Sequence, residues 1–245
     1  MPPKVLYEKD GKKFLAKPGQ DLHTQFGYVR KEDLKKAKSG SVIKSHKGHD
    51  FTIFDASFID LYHRIKRDAQ IIPLKDIGFI ISETGINKKS KIVDAGAGSG
   101  AMCCFLAMIA KEVTTYDIRE DFINIVKHNI LLLGIKNIKI KNKNIYEGID
   151  EKNIDLVALD LPEPWNAVKS AAIALKPGGF LVSYSPTIPQ VMDFVEGVKK
   201  DDRLIFLKAA EIAEKEWDVD GRKVRPKSQT IGHSGFISIV RKIKN

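Results

Sequence analysis

Three features of the chain could do chemistry together: a glycine-rich turn, a set of polar residues spaced one per strand-like run, and a stiff acidic loop. Gly96-Ala97-Gly98-Ser99-Gly100-Ala101 follows the apolar pair Ile92-Val93 and precedes the apolar segment 101–110. That pattern predicts a buried strand, a tight turn and a buried helix. Glycines let the backbone approach a ligand, and free N–H groups at the start of the following helix can face polar or anionic atoms. Residues 94–101 therefore predict a cofactor cradle. The spacing satisfies the dinucleotide fingerprint G-x-G-x-x-G/A, and Asp117 lies at a distance suited to holding ribose hydroxyls. By this motif alone, an NAD(P)-dependent oxidoreductase is one reading. A merely structural turn is disfavoured, because glycines this dense are costly in unfolded-state entropy unless something needs them.

Open α/β sheets bind ligands beyond the carboxyl ends of their strands. The polar residues at those ends here are Asp94, Asp117, Asn144, Asp160 and Tyr184. Asp117 can accept from both ribose hydroxyls, with Ile118 packed on an adenine face; Asn144 can meet the adenine edge together with Ile145. Singly, each acid or amide reads as a helix cap or turn residue. Five in series at strand ends read as a site. Asp160-Leu161-Pro162-Glu163-Pro164-Trp165 adds two prolines that stiffen the loop and fix where the Asp160 carboxylate points. The third glycine at 100, the acid Asp94 before the turn, this loop and the turn Leu175-Lys176-Pro177-Gly178-Gly179 together resemble the S-adenosylmethionine (SAM) site of class I methyltransferases. In that setting Asp94 would accept from the methionine ammonium, directly or through water.

The elements that must position these residues follow a regular alternation. Strands are expected at 91–94, 112–117, 136–141, 154–159, 179–184, 203–216 and 231–242, with helices at 100–111, 120–133, 166–175 and 188–199. The fold class is α/β, a doubly wound, mostly parallel seven-stranded sheet of Rossmann-like type with an antiparallel strand at its end. Residues 1–56 show short alternating runs separated by turn residues, which predict a small N-terminal β module of four or five strands. Residues 57–90 are expected as a helical linker and 91–245 as the cofactor-binding domain.

The chain has 245 residues and a net charge of +10, and its first 80 residues carry six of those ten surplus charges. Lysines and arginines interleaved with Phe14, Phe26, Tyr28, Phe51 and Phe54 suit RNA, where phosphates and splayed bases need those two partners. Most of the aromatics are expected to form the module's own core. The two cysteines, Cys103 and Cys104, are adjacent on an apolar helix, which argues against a disulfide or metal site and for a reducing compartment. The longest apolar run, 101–110, is too short to span a bilayer, so a cytoplasmic protein is expected. Trp165 reads as a wall or a subunit contact and His233 as a hydrogen-bonded structural residue.

Taken together, Asp94 to Ala101, Tyr116 to Phe122, Asp160 to Trp165, Tyr184-Ser185-Pro186-Thr187 with Gln190, Arg225-Pro226 and His233 to Phe236 resemble the archaeal branch of the tRNA (adenine-N1) methyltransferase family. The resemblance extends to Arg67-Asp68-Ala69-Gln70-Ile71-Ile72 and covers nearly the whole chain. It implies SAM as cofactor, tRNA as partner, a homotetramer, and formation of 1-methyladenosine at T-loop adenine 58 and also adenine 57. Carried residue by residue, it implies a donor site of Gln70, Asp94, Gly96, Gly98, Ser99, Gly100, Ala101, Asp117, Ile118, Asn144, Ile145 and Asp160. Asp160 and Tyr184 are the expected catalytic pair, the first accepting from the adenine amine and the second lining or stacking on the base. The chain departs from the family pattern at Asn144 and Asp94, where an acid and Glu are commoner, and at Pro73, where Tyr or His is usual. A non-catalytic tRNA-binding subunit is the remaining alternative; the intact glycine run and Asp160 argue against it.

Overall fold

The computed structural model describes residues 2–228 and 232–245. They form two compact units, one ending at Ile65 and the other starting at Lys66.

In the first unit, strands β1 (Lys4–Tyr7), β2 (Lys13–Ala16), β3 (Leu22–Thr24) and β4 (Gly27–Val29) lead to helix α1 (Lys31–Lys36), followed by β5 (Val42–Lys44), β6 (Asp50–Asp55) and helix α2 (Phe58–Tyr62). The order β2-β1-β6-β5 makes an antiparallel sheet, and β3 and β4 pair as a separate hairpin. Leu6, Phe51 and Ile53 are fully buried at its centre. Phe14, Phe26 and Phe51 meet edge to face there. These rings are core, as expected for most of the aromatics. The helix α1 was not expected: Lys-Glu-Asp-Leu-Lys-Lys offers one buried leucine and no apolar stripe.

The second unit continues with α3 (Leu74–Thr84), β7 (Lys91–Ala95), α4 (Ala101–Ala107), β8 (Glu112–Asp117), α5 (Glu120–Leu133), β9 (Ile138–Asn142), β10 (Ile154–Leu159), α6 (Val168–Ala174), β11 (Leu175–Ser185), α7 (Ile188–Lys199), β12 (Leu204–Glu211), β13 (Trp217–Asp220), β14 (Lys223–Pro226) and β15 (Phe236–Lys242). Among the described residues, seven strands form the main sheet in the order β12-β15-β11-β10-β7-β8-β9. Strands β7 to β11 run parallel, and β15 is antiparallel to both β11 and β12. The doubly wound class is as expected. The sequence of connections reverses between β7 and β10, so a crevice opens at the carboxyl ends of those two strands.

Three expectations need correction. Residues 57–90 are no linker: α2 stays with the first unit, while Ile77 and Ile80 of α3 are fully buried in the second unit's core beside Ile92 and Met102. The last strands are shorter than 203–216 and 231–242, because the chain leaves the sheet to form the β13–β14 hairpin between them; residue 231 lies outside the described residues. Strand β11 starts earlier than 179, because Leu175 already pairs with Ile154 ahead of the Lys-Pro-Gly-Gly turn.

Candidate cofactor and purine site

The crevice is built from backbone first. Gly96, Gly98 and Gly100 all have positive φ, at 86°, 51° and 75°. A Cβ on Gly96 would stand 1.9 Å from the Asp160 carbonyl oxygen, so only glycine lets the ends of β7 and β10 close on one another. The Asp160 N–H donates to the Ala95 carbonyl at 2.9 Å, and the Gly96 N–H donates to that of Tyr116 at 3.0 Å. Gly100 is the left-handed cap of α4, and a Cβ there would press on Val126.

Two cavities flank this turn. One, of about 160 Å³, is walled by Gln70, Ile72, Gly98, Ser99, Ala101 and Phe122. The other, of about 220 Å³, is walled by Ile118, Asn144, Ile145, Tyr146, Leu161 and Pro162. Gly96, Asp117 and Asp160 line both. The result is a pair of adjoining cavities that share three residues, the second the more apolar of the two.

The Asp117 carboxylate accepts from the Gly98 N–H and from the Arg119 N–H, both at 2.9 Å. This holds it where the two cavities adjoin, with lone pairs left for hydroxyl groups. Ile118 beside it is 68% exposed, an apolar face with no covering. Asn144 accepts from the Tyr146 N–H at 3.0 Å and so caps the short turn Ile145–Glu147. Its side chain is thus both the turn residue its type suggests and part of the cavity wall.

A second set of bonds pins the segment before α3 to the glycine turn. Asn129 of α5 is wholly buried; its Oδ1 accepts from the Lys66 N–H at 2.8 Å, and its Nδ2 donates to the carbonyls of Lys66 and Ser99 at 2.9 and 2.8 Å. The Ser99 hydroxyl accepts from the Asp68 N–H at 3.3 Å. Residues 69–72, which have no helix or strand of their own, are thereby held as a wall of the first cavity. Sequence reasoning missed Asn129. Its signal was an amide at the position where α5 presents Val126 and Leu133 to the core.

Asp94 is 1% exposed. Thr115 donates to its Oδ2 at 2.5 Å, while Oδ1 is buried without a hydrogen-bond partner. Burial pushes its carboxyl up to about 7; the Thr115 bond opposes this, and the nearby Asp160 and Asp117 charges add to it. Asp160 is raised by burial alone, to about 6. Among the described residues none donates a hydrogen bond to the Asp160 carboxylate. Its loop is fixed from behind: Gln190 donates to the Pro162 carbonyl at 3.0 Å and itself accepts from Thr187 at 2.8 Å. The buried Asp94 oxygen lacking a partner suits a cationic group, and the Asp160 carboxylate, held free at the junction of two cavities, can accept from an amine. The residues present therefore fit a donor that carries an ammonium, a sulfonium and a nucleoside.

Tyr184 falls elsewhere. It lines neither cavity; its ring lies where a Cβ on Gly235 would be, and its hydroxyl donates to Asp76 at 3.3 Å. Asp76 is fully buried and is held by Lys75 at 2.7 Å and the Ser234 hydroxyl at 2.8 Å. Sequence reasoning did not foresee this cluster, because its members lie far apart along the chain. Burial pushes the Tyr184 phenol well up, so it stays protonated and is no base. Trp165 lines a separate cavity with Lys169, Asp193 and Lys200. His233 bonds Glu211 at 2.5 Å and the Pro186 carbonyl at 2.9 Å, in keeping with the structural role expected of it.

Residues 58–236 match the family model described as tRNA methyltransferase complex GCD14 subunit. The chain belongs to this family. It is 35% identical to the tRNA (adenine(57)-N(1)/adenine(58)-N(1))-methyltransferase TrmI of Methanocaldococcus jannaschii, across 97% of this chain and 94% of that one. It is 29% identical to the tRNA (adenine(58)-N(1))-methyltransferase TrmI of Thermus thermophilus, across 99% and 97%. Among solved structures, a SAM-dependent O-methyltransferase from Thermotoga maritima superposes with a TM-score of 0.89 at 28% identity, covering 100% of this chain and 94% of that one. The tRNA (m1A58) methyltransferase TrmI of Aquifex aeolicus superposes at 0.82 with 24% identity, covering 99% and 97%, and supports the fold. The expected family and the class I methyltransferase fold are both borne out.

Proposed function

We propose that the protein is a SAM-dependent tRNA methyltransferase forming 1-methyladenosine in the T-loop, at adenine 58 and adenine 57. The observation that carries the reading is the Asp160 carboxylate, rigidly mounted where the two cavities meet and accepting no hydrogen bond from the described residues. Family membership and the named activity of the relatives support it.

SAM supplies a methyl group on a sulfonium. The chain's residues orient and stabilise. Ile118 and the wall at Asn144 and Ile145 take the adenosine, Asp117 the ribose hydroxyls, and the turn at Gly96–Ser99 with Gln70 and buried Asp94 the methionine end. Adenine N1 carries a lone pair at neutral pH, so no strong base is needed. Asp160 accepts from the exocyclic amine, aims N1 and stabilises the positive charge that develops on the ring. We assign Tyr184 to holding α3 through Asp76, in place of the expected stacking on the base. The target adenine must leave its stack to reach this site. The basic first unit holds the phosphates, with salt-sensitive affinity.

Among the described residues no helix is long and apolar enough to cross a membrane. We place the protein in the cytoplasm, supported by two buried free cysteines. A homotetramer is proposed with it; the exposed apolar Trp217, Val219 and Val224 of the β13–β14 hairpin support self-association. Incubation with an unmodified tRNA transcript and labelled SAM, followed by nucleoside analysis, should yield labelled 1-methyladenosine. Label in another nucleoside, or none, would refute the reading.

A further inference from the structure

Most phenylalanine rings of the first unit are core, but three other rings gather in an array at the surface. His23 and His46 are exposed and Tyr28 is partly so. Tyr28 and His46 stack with centroids 4.2 Å apart and planes 16° apart, and the His23 ring lies 5.9 Å from that of Tyr28, tilted by 41°. Local bonds fix the array: the Tyr28 N–H donates to His46 Nδ1 at 3.0 Å, and the His46 N–H donates to the Tyr28 carbonyl at 2.9 Å. Gly27, with φ at 106°, leaves room for the His46 ring, since a Cβ there would sit 2.6 Å from Nδ1. His23, Tyr28, Arg30 and Lys31 wall a cavity of about 630 Å³ together with Asp21 and Glu32. The Asp21 carboxylate is engaged in accepting from the Lys31 N–H at 2.8 Å.

A rigid ring ladder beside a guanidinium and an amine matches an unpaired nucleotide: the base stacks on the rings and the phosphate meets the cations. Resting on the tRNA reading above, we propose that this cavity, wholly within the first unit, binds a splayed nucleotide of the substrate tRNA, with Tyr28 as the stacking platform and Arg30 as the phosphate contact. It is a second nucleotide site, distinct in chemistry from the Asp160 site, because it offers stacking and positive charge where that one offers a carboxylate.

Stacking and charge separate experimentally. Fluorescence anisotropy of an unmodified tRNA transcript, titrated with full-length protein at several salt concentrations, gives affinity and salt slope for wild type, Tyr28→Ala, Tyr28→Phe and Arg30→Ala; calorimetry with S-adenosylhomocysteine checks the donor site. Tyr28→Ala should bind about tenfold more weakly at every salt concentration, with an unchanged slope, and Tyr28→Phe within twofold of wild type. Arg30→Ala should flatten the slope by about 0.7 to 0.9. If Tyr28→Ala also loses S-adenosylhomocysteine binding, His23→Ala decides, with a severalfold loss expected. Unchanged tRNA affinity in the folded variants, or equal damage from Tyr28→Phe and Tyr28→Ala, would overturn the proposal. Wild type that binds no tRNA would instead remove the functional reading beneath it.

Discussion

The site has two halves, the residues assigned to the donor and the carboxylate assigned to the acceptor, and they differ in how their polar groups are engaged. On the donor side most polar groups, Asp94 Oδ1 excepted, are already bonded: Asp117 accepts two backbone N–H groups, Ser99 a third, and Asn129 closes three bonds between the glycine turn and Lys66, just before the wall at residues 69–72. On the acceptor side Asp160 has a fixed backbone and a carboxylate that no described residue satisfies. A donor that visits in one conformation is met by a preformed mould. The group that must recognise a transient purine keeps its hydrogen-bonding capacity for that moment, at a cost in stability.

Changes on the donor side should therefore act on affinity and stability, and the largest should come from Gly96→Ala. A Cβ there collides with the Asp160 carbonyl at a positive φ, costing about 3 kcal/mol or more. A fall in Tm of roughly 6 to 12 °C and donor binding weakened at least a hundredfold are expected by calorimetry. A variant near wild type would show that β7 and β10 are not clamped there. Asn129→Ala comes next. It leaves the buried Ser99 carbonyl unsatisfied, at about 1 to 3 kcal/mol, and releases the Lys66 N–H and carbonyl to solvent, so KM for SAM should rise about tenfold while kcat and KM for tRNA stay within threefold. An equal fall in kcat would sink the division between the halves.

Asp94 sharpens the comparison through pH. Its carboxyl is raised to about 7 against an ordinary value of 3.8, mainly by burial. The folded state thus holds its proton more tightly than the unfolded state, and the stabilising contribution of protonated Asp94 is lost as pH rises through about 7. The ligand-free variant Asp94→Asn, which keeps no titrating group, should gain Tm relative to wild type between pH 6 and pH 8. Donor affinity should move the other way. Ionised Asp94 attracts the cationic donor, so wild-type affinity should fall as pH drops below 7, and in Asp94→Asn that dependence should be reduced and pH 8 affinity several-fold weaker. Isothermal calorimetry at pH 6 and 8 checks both, and a variant with the wild-type pH dependence would remove Asp94 from the donor site.

The smallest effect is expected from Gln190→Ala. It frees the Pro162 carbonyl and should lower kcat two- to fivefold without moving donor affinity. A change in SAM binding larger than in kcat would place Gln190 on the wrong side of the comparison.

What the sequence made legible was mostly local. Strands 112–117 and 154–159 and helices 120–133 and 188–199 end where expected, because Gly134 supplies a left-handed cap and Thr187 accepts from the Gln190 N–H. The glycine turn and the strand-end acids were readable for the same reason: their chemistry follows from neighbours in the chain. Long-range partnerships were not. Nothing near Tyr184 announces that Asp76, over a hundred residues away, takes its hydroxyl. Helix α1 was hidden because a charged helix lacks the apolar period that reveals others. The β13–β14 hairpin merged with its neighbours because Trp217-Asp218-Val219 continues a strand-like alternation after β12 has left the sheet.

The claim at the centre is that the free carboxylate of Asp160 acts on the purine and not on the donor. The most direct measurement pairs single-turnover methylation of an unmodified tRNA transcript with S-adenosylhomocysteine calorimetry, in Asp160→Ala and wild type. The methylation rate should fall about a hundredfold or more, with S-adenosylhomocysteine affinity within threefold. A near wild-type rate, or a loss explained wholly by weaker donor binding, would contradict it.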